Sequence, residues 1–179
     1  MLQAIERKGY PLSVVACKIY DDSIEFASDS AIIYYNELKT VGQTNFVKLA
    51  RIKDVVIGAV GACEEAAMFY VFLKSHYPKS ASVDDILDLL VGFSAWKKER
   101  QGEHKIENSY ILGIDGKAFH TNGFFVDRIE THMAIGSGCY FALAAMEINL
   151  TAFAAVQIAC KYNVFCSEPI IKIEMSRNV

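Results

Sequence analysis

The residues best placed for chemistry lie in Met133-Ala-Ile-Gly-Ser-Gly-Cys-Tyr-Phe-Ala-Leu-Ala-Ala-Met146, where a short apolar strand reaches Gly136-Ser137-Gly138 and turns straight into a helix rich in Ala and Leu. Glycines at such a junction let backbone N–H groups come close to another group, and the start of a helix adds donors that have no partner within the helix. A lone Gly-Ser-Gly serves a tight turn equally well, and Ser137 would then be the helix N-cap. The stretch gains weight beside two others, near 13–31 and 46–61, which carry Ser13, Asp29, Lys48 and Gly58. Other chemistries have less support. His76, His104, His120 and His132 are scattered without ligand spacing, and the five cysteines (Cys17, Cys63, Cys139, Cys160, Cys166) form no CxxC pair. A metal site is therefore not expected. No His partner for a Cys166 nucleophile is identifiable by spacing.

The elements that must position these residues follow from periodicity. Leu12–Tyr20 is rich in β-branched residues and reads as a strand; Asp21-Asp22 turn it into a returning strand, Ser23–Ser30, with Asp29 at the far end of the hairpin. Residues 31–45 read as a polar connection with turns at Gly42 and Asn45. Phe46–Ile52 is a strand, and Asp54–Gly61 is an apolar one of the kind buried on both faces, ending in a Gly58-Ala-Val-Gly61 turn. Helical period follows over Cys63–His76 and, after an N-cap at Ser82, from Val83 to about Lys98. Glu107–Ile114 and Lys117–Asn122 flank an Asp115-Gly116 hairpin turn, with Phe124–Ile129 following. Helices near 139–148 and 152–162 and a final alternating strand, Glu168–Met175, complete the chain.

Strands and helices thus come in blocks: strands, two helices, strands, two helices, one strand. That order suits antiparallel sheets covered by helices, an α+β class with a four-layer αββα sandwich. The length of 179 residues fits one domain, 13–179, behind a leader or arm formed by residues 1–12. A net charge of −3 gives no pointer to nucleic acid or an acidic membrane surface. No apolar run reaches the roughly 18 residues that span a bilayer, and the N-terminus lacks a signal-peptide apolar region. Cysteines odd in number and in apolar surroundings read as reduced core residues of a cytoplasmic protein.

In its strand ending Ala27-Ser-Asp29-Ser, Lys48 within Phe-Val-Lys-Leu, the apolar strand into Gly58-x-x-Gly61, and Ala-Ile-Gly136-Ser-Gly138 before an Ala-rich helix, the chain resembles the β-type proteasome subunits. The closest likeness is to the bacterial HslV-like peptidases among the N-terminal-nucleophile hydrolases, and it runs over nearly all the chain after Leu12. The resemblance implies a nucleophile exposed as the first residue of the mature chain, whose own α-amine, of ordinary pKa about 7.7–8.0, acts as base. Carried over, the nucleophile is Ser13, Lys48 the active-site lysine, Asp29 its carboxylate, Gly58 the oxyanion-hole glycine, and Ser137 the serine near the α-amine. The family's second carboxylate and second serine fall by spacing on Asn163 and Cys166, with Ser167 a substitute at a one-residue shift. The departures are Ser for Thr at position 13, Leu12 where processed relatives carry Gly, and the uncharged Asn163.

The resemblance implies a threonine/serine-type endopeptidase subunit, assembled in homo-oligomeric rings, acting on polypeptide without a metal or organic cofactor, and served by an ATP-dependent unfoldase. Two alternatives stand beside it. One is a catalytically silent structural subunit with an unprocessed N-terminus, in which Asp29 and Lys48 are an inherited buried ion pair. The other is an amidase of the same fold acting on a small molecule.

Overall fold

The computed structural model describes residues 13–34, 37–39 and 45–177. The expected leader, residues 1–12, and the expected turn at Gly42 lie outside the described residues.

Two antiparallel sheets form the middle of the molecule. The first has the order β10-β1-β2-β11, from β1 (Val15–Ile19), β2 (Ser23–Ser28), β10 (His132–Ile135) and β11 (Ile171–Ser176). The second has the order β5-β6-β7-β8-β9, from β5 (Leu49–Ile52), β6 (Val55–Val60), β7 (Ser109–Ile114), β8 (Lys117–Asn122) and β9 (Phe125–Ile129). Helices α1 (Cys63–Leu73) and α2 (Val83–Gln101) cover the second sheet, and α3 (Cys139–Glu147) and α4 (Ala152–Tyr162) cover the first.

Three apolar clusters mark the seams between these layers. Alternation along β1 sends Val14 and Ala16 toward Ala142, Ala155 and Ala159 of the helices, and Val15 and Cys17 toward the other sheet. Along β6, Val55, Ile57 and Ala59 meet Phe69, Phe93 and other helix residues, while Val56 and Val60 face the first sheet. β6 is therefore buried on both faces, as its unbroken apolar run implies. The result is the four-layer αββα sandwich expected from the order of elements.

Local signals account for the boundaries. Ser82 caps α2 by accepting the Asp85 N–H at 3.2 Å, and Gly102 ends it with φ +75°. Asp115 and Gly116, at φ +47° and +73°, make the β7–β8 turn. Elsewhere the structure departs from expectation. The polar connection 31–45 contains a small hairpin, β3 (Ile32–Tyr34) with β4 (Glu37–Lys39). The fifth strand starts at Leu49 rather than Phe46, so Lys48 stands just outside its mouth. The last strand starts at Ile171 rather than Glu168, because 167–170 bends to meet the end of β2: Ser167 O accepts the Ser30 N–H at 2.8 Å, and Ser30 Oγ donates to Pro169 O.

Candidate active site

Ser13 stands two residues before β1, the strand that lies between β2 and β10, and is buried. Its backbone is enclosed by the Gly-Ser-Gly turn that follows β10. The Ser13 N–H donates to Ser137 Oγ at 3.2 Å, Ser137 Oγ donates to Ser13 O at 3.4 Å, and the Gly138 N–H reaches the same carbonyl at 3.1 Å. Both glycines are required by space. Gly136 has φ +96°, and a Cβ there would run into Ser13 O. A Cβ on Gly138 would lie 2.7 Å from Cys166 Sγ and 3.0 Å from Val14 Cβ. Ser137 does not cap α3: the cap position is Gly138, with no side-chain bond, and the Ser137 hydroxyl is turned to Ser13 instead.

Asp29 lies one residue past β2 with 1% of its surface exposed. Four donors converge on its carboxylate. Lys48 Nζ at 2.8 Å and the Val14 N–H at 2.9 Å share Oδ1; the Ala31 N–H at 2.9 Å and the Ser167 N–H at 3.3 Å share Oδ2. An ammonium buried to 6% exposure is thus held on the oxygen that also binds the amide next to Ser13. Lys48 is steadied from behind, since Tyr70 OH donates to Lys48 O at 2.9 Å and the Ala59 N–H reaches it at 2.8 Å.

Gly58 sits elsewhere than expected. It is not a turn residue but lies inside β6, opposite Leu49 on one edge and Ile111 on the other. A Cβ at this point would strike Val15 Cγ1, so this glycine makes room for the Val15 side chain of β1 where the two sheets face each other. The Ala59 N–H to Lys48 O bond makes Leu49 and Gly58 a non-hydrogen-bonded pair, so the Gly58 N–H points along the sheet toward β7 and not to the open end of the strand. Gly61, one residue past the ladder at φ +134°, is the glycine at the open end of the strand.

The three residues after α4 divide their work in a way spacing alone did not show. Asn163 Nδ2 donates to Ser137 O at 2.7 Å, and its Oδ1 accepts the Phe165 N–H at 2.9 Å, which fixes the orientation of the amide. A carboxylate could not make the first bond. The Cys166 side chain faces the turn, against Gly138 and the Ser137 hydroxyl. Burial, and next the charge of Asp29, push its thiol up to about 12, so it is protonated at neutral pH and a poor nucleophile. Ser167 supplies its backbone to Asp29, while its hydroxyl donates to Glu168 O at 3.2 Å. Ser13, Asp29, Lys48, Ser137, Asn163 and Cys166 therefore form one connected site. Sequence reasoning missed the supporting roles of Tyr70 and of the Ser167 amide, for which no local signal exists. No group of three or more His, Cys, Asp or Glu able to hold a metal occurs among the described residues, and no helix there is long and apolar enough to cross a membrane.

Two face-to-face sheets between helical layers make the fold that of the proteasome-like proteins. Solved structures of that class superpose on nearly the whole chain. BPH from Thiobacillus denitrificans matches with TM-score 0.80 and 19% identity, covering 91% of this chain and 97% of its own. It has also been solved in complex with epoxomicin. HslV from Trypanosoma brucei matches with TM-score 0.68 and 20% identity over 92% of this chain and 99% of its own. Anbu, an ancestral β-subunit from Yersinia bercovieri, gives 0.69 and 14% over 91% and 82%. No protein-family model and no curated protein matches the sequence.

Proposed function

We propose that this chain is a proteasome-like, serine-type endopeptidase subunit whose nucleophile is Ser13, released as an N-terminal residue by cleavage after Leu12. The observation that carries the reading is the position of the Ser13 nitrogen, on the Ser137 hydroxyl and beside an amide that shares Asp29 with Lys48. Once freed, that nitrogen is an amine with a lone pair next to the Ser13 hydroxyl. The hydroxyl attacks the peptide carbonyl while the amine takes its proton. The amine then gives the proton to the departing peptide nitrogen, leaving an ester on Ser13. Water, deprotonated by the same amine, attacks the ester and restores the enzyme. The Lys48 ammonium favours the neutral amine and the anionic oxygen, with Asp29 orienting it. The oxyanion donor of this reading lies at the exit of β6, at Gly61, rather than at Gly58.

Subunits of this kind would assemble in rings, act on unfolded polypeptide fed by an ATP-dependent unfoldase, and work in the cytoplasm, where the five thiols stay reduced. Exposed Tyr140, Phe141, Tyr162, Val164 and Phe165 support packing against further copies; Phe141 stacks on Tyr162 with ring centroids 6.1 Å apart. A second reading, a silent assembly subunit, is favoured by uncharged Asn163 and by Cys166 at the positions where the resemblance has a carboxylate and a serine.

Intact mass after purification, beside a Ser13→Ala variant, tests the proposal. Loss of residues 1–12 from wild type alone supports it. Retention of those residues by both, with no peptide hydrolysis, favours the silent subunit.

A further inference from the structure

Outside the residues already described, the densest buried polar cluster joins α1, α2 and β7. Glu65 of α1 is 5% exposed and accepts five bonds: from Lys97 Nζ of α2 at 2.6 Å, Tyr110 OH at 3.1 Å, the Asn108 N–H at 2.9 Å, and the Glu107 N–H at 3.1 Å and 3.2 Å through its two oxygens. Lys97 Nζ also donates to Lys105 O at 2.6 Å. The cluster exceeds what an ordinary helix–sheet contact requires. Its product is the fixed position of Asn108, which is 1% exposed.

The Asn108 side chain takes hold of one residue from both sides. Oδ1 accepts the Ala62 N–H at 2.6 Å, and Nδ2 donates to Ala62 O at 2.9 Å. It also lies where a side chain on Gly61 would be: a Cβ there would sit 2.6 Å from Asn108 Cγ and collide with Oδ1. Only a side chain with a donor and an acceptor on one short stem can do this.

The gripped segment continues directly from residues that touch the catalytic ones. Val60 Cγ1 lies 3.3 Å from the Cβ position of Gly136, a position that also abuts Ser13 O. The Ala59 N–H, two residues before Gly61, donates to Lys48 O at 2.8 Å. The end of β6 that leads into Gly61 is therefore in contact with both the Ser13 and the Lys48 sides of the site.

We infer that Asn108 is a positioning residue for the proposed reaction. Braced by Glu65 and Lys97, it holds Gly61 at the positive φ that aims the Gly61 N–H at the oxyanion. The inference rests on the peptidase reading above. An oxyanion donor acts only when held in place beforehand, and losing one outright costs about 10²–10³-fold in kcat. Letting it drift should cost less, about 10–100-fold.

The test uses protein beginning at Ser13, as wild type, Asn108→Ala, Asn108→Asp and Ser13→Ala. For wild type and the Asn108 variants, turnover of a fluorogenic peptide is expressed per site titrated with an irreversible peptidyl inhibitor, which removes any effect of misfolded molecules; Ser13→Ala, with no nucleophile to titrate, is compared per mole of protein. Asn108→Asp keeps the acceptor for the Ala62 N–H and loses the donor, so it covers the case in which Asn108→Ala does not fold. The expected result is a kcat per titrated site lowered about 10–100-fold, less so in Asn108→Asp, with KM within about threefold of wild type. A kcat per site within about twofold of wild type in the folded variants, even with a lowered Tm, overturns the inference and leaves the peptidase reading standing. Turnover that survives in Ser13→Ala, or is absent from wild type, overturns the reading and the inference together.

Discussion

Asp29→Ala and Lys48→Met should not cost the same, although they remove the two halves of one buried ion pair. Removing Asp29 leaves the Lys48 ammonium and the amides of Val14, Ala31 and Ser167 facing a small void. Breaking a buried pair by deleting one partner costs about 3–5 kcal/mol, and each stranded amide adds to that. Removing Lys48 leaves a carboxylate that still accepts three N–H bonds; about 1–3 kcal/mol is expected. At roughly 2–4 °C per kcal/mol for a chain of this size, Asp29→Ala should lower Tm by about 6–20 °C and Lys48→Met by about 2–12 °C. In the double variant Asp29→Asn/Lys48→Met, no charge is buried and one side-chain oxygen remains for the amides. It should be more stable than Asp29→Ala by about 1–2 kcal/mol. Urea denaturation followed by circular dichroism measures all three. Equal losses in the two single variants, to within about 0.5 kcal/mol, would refute the assignment of Asp29 as the point on which the amides converge.

Three further outcomes are expected. Gly136→Ala places a Cβ against Ser13 O at φ +96° and should cost about 2–4 kcal/mol by thermal denaturation. Gly58→Ala should cost about 1–3 kcal/mol through collision with Val15, and Val15→Ala in the same chain should recover part of it; additive losses would show that the collision is not the cause. Burial pushes the thiols of Cys17, Cys160 and Cys166 from 9.0 to about 12. Their folded pKa values lie above the unfolded one, so this contribution to stability is complete below about pH 9 and is lost as pH rises toward 12. Tm should fall across that window, and Cys160→Ala/Cys166→Ser should flatten the fall; an unchanged slope would contradict it.

The layers were legible because periodicity switches cleanly. The unbroken apolar run of Val55–Val60 states its burial directly, the Ala-rich stretch after Cys139 reads as a helix of which Ala142, Ala145 and Met146 are buried, and turn chemistry at Asp115-Gly116 fixed a register. The site was legible only as a pattern of separated motifs, since Ser13, Asp29, Lys48 and Ser137 are individually ordinary. Gly58 shows the limit of that approach. A glycine near a strand end reads as a turn, and only the sheet opposite reveals that Val15 needs its space. The Asn108–Glu65–Lys97 cluster had no signal at all. Glu65 lies 32 residues from Lys97 and 43 from Asn108, and each stands beside another polar residue, Glu64, Lys98 or Glu107, from which nothing in the sequence separates it. Asn163 was found by spacing, but its role was not: its bond to Ser137 O depends on how the turn after α4 folds back on α3.

The central claim is that the nitrogen of Ser13 becomes the catalytic base when it is free. The most direct measurement compares peptide hydrolysis by protein released to begin at Ser13 with that of protein released to begin at Leu12. The two differ by one residue, and only the first carries an α-amine on Ser13. The account predicts turnover from the first alone, lost on Ser13→Ala. Equal turnover from both, or from neither, would contradict it.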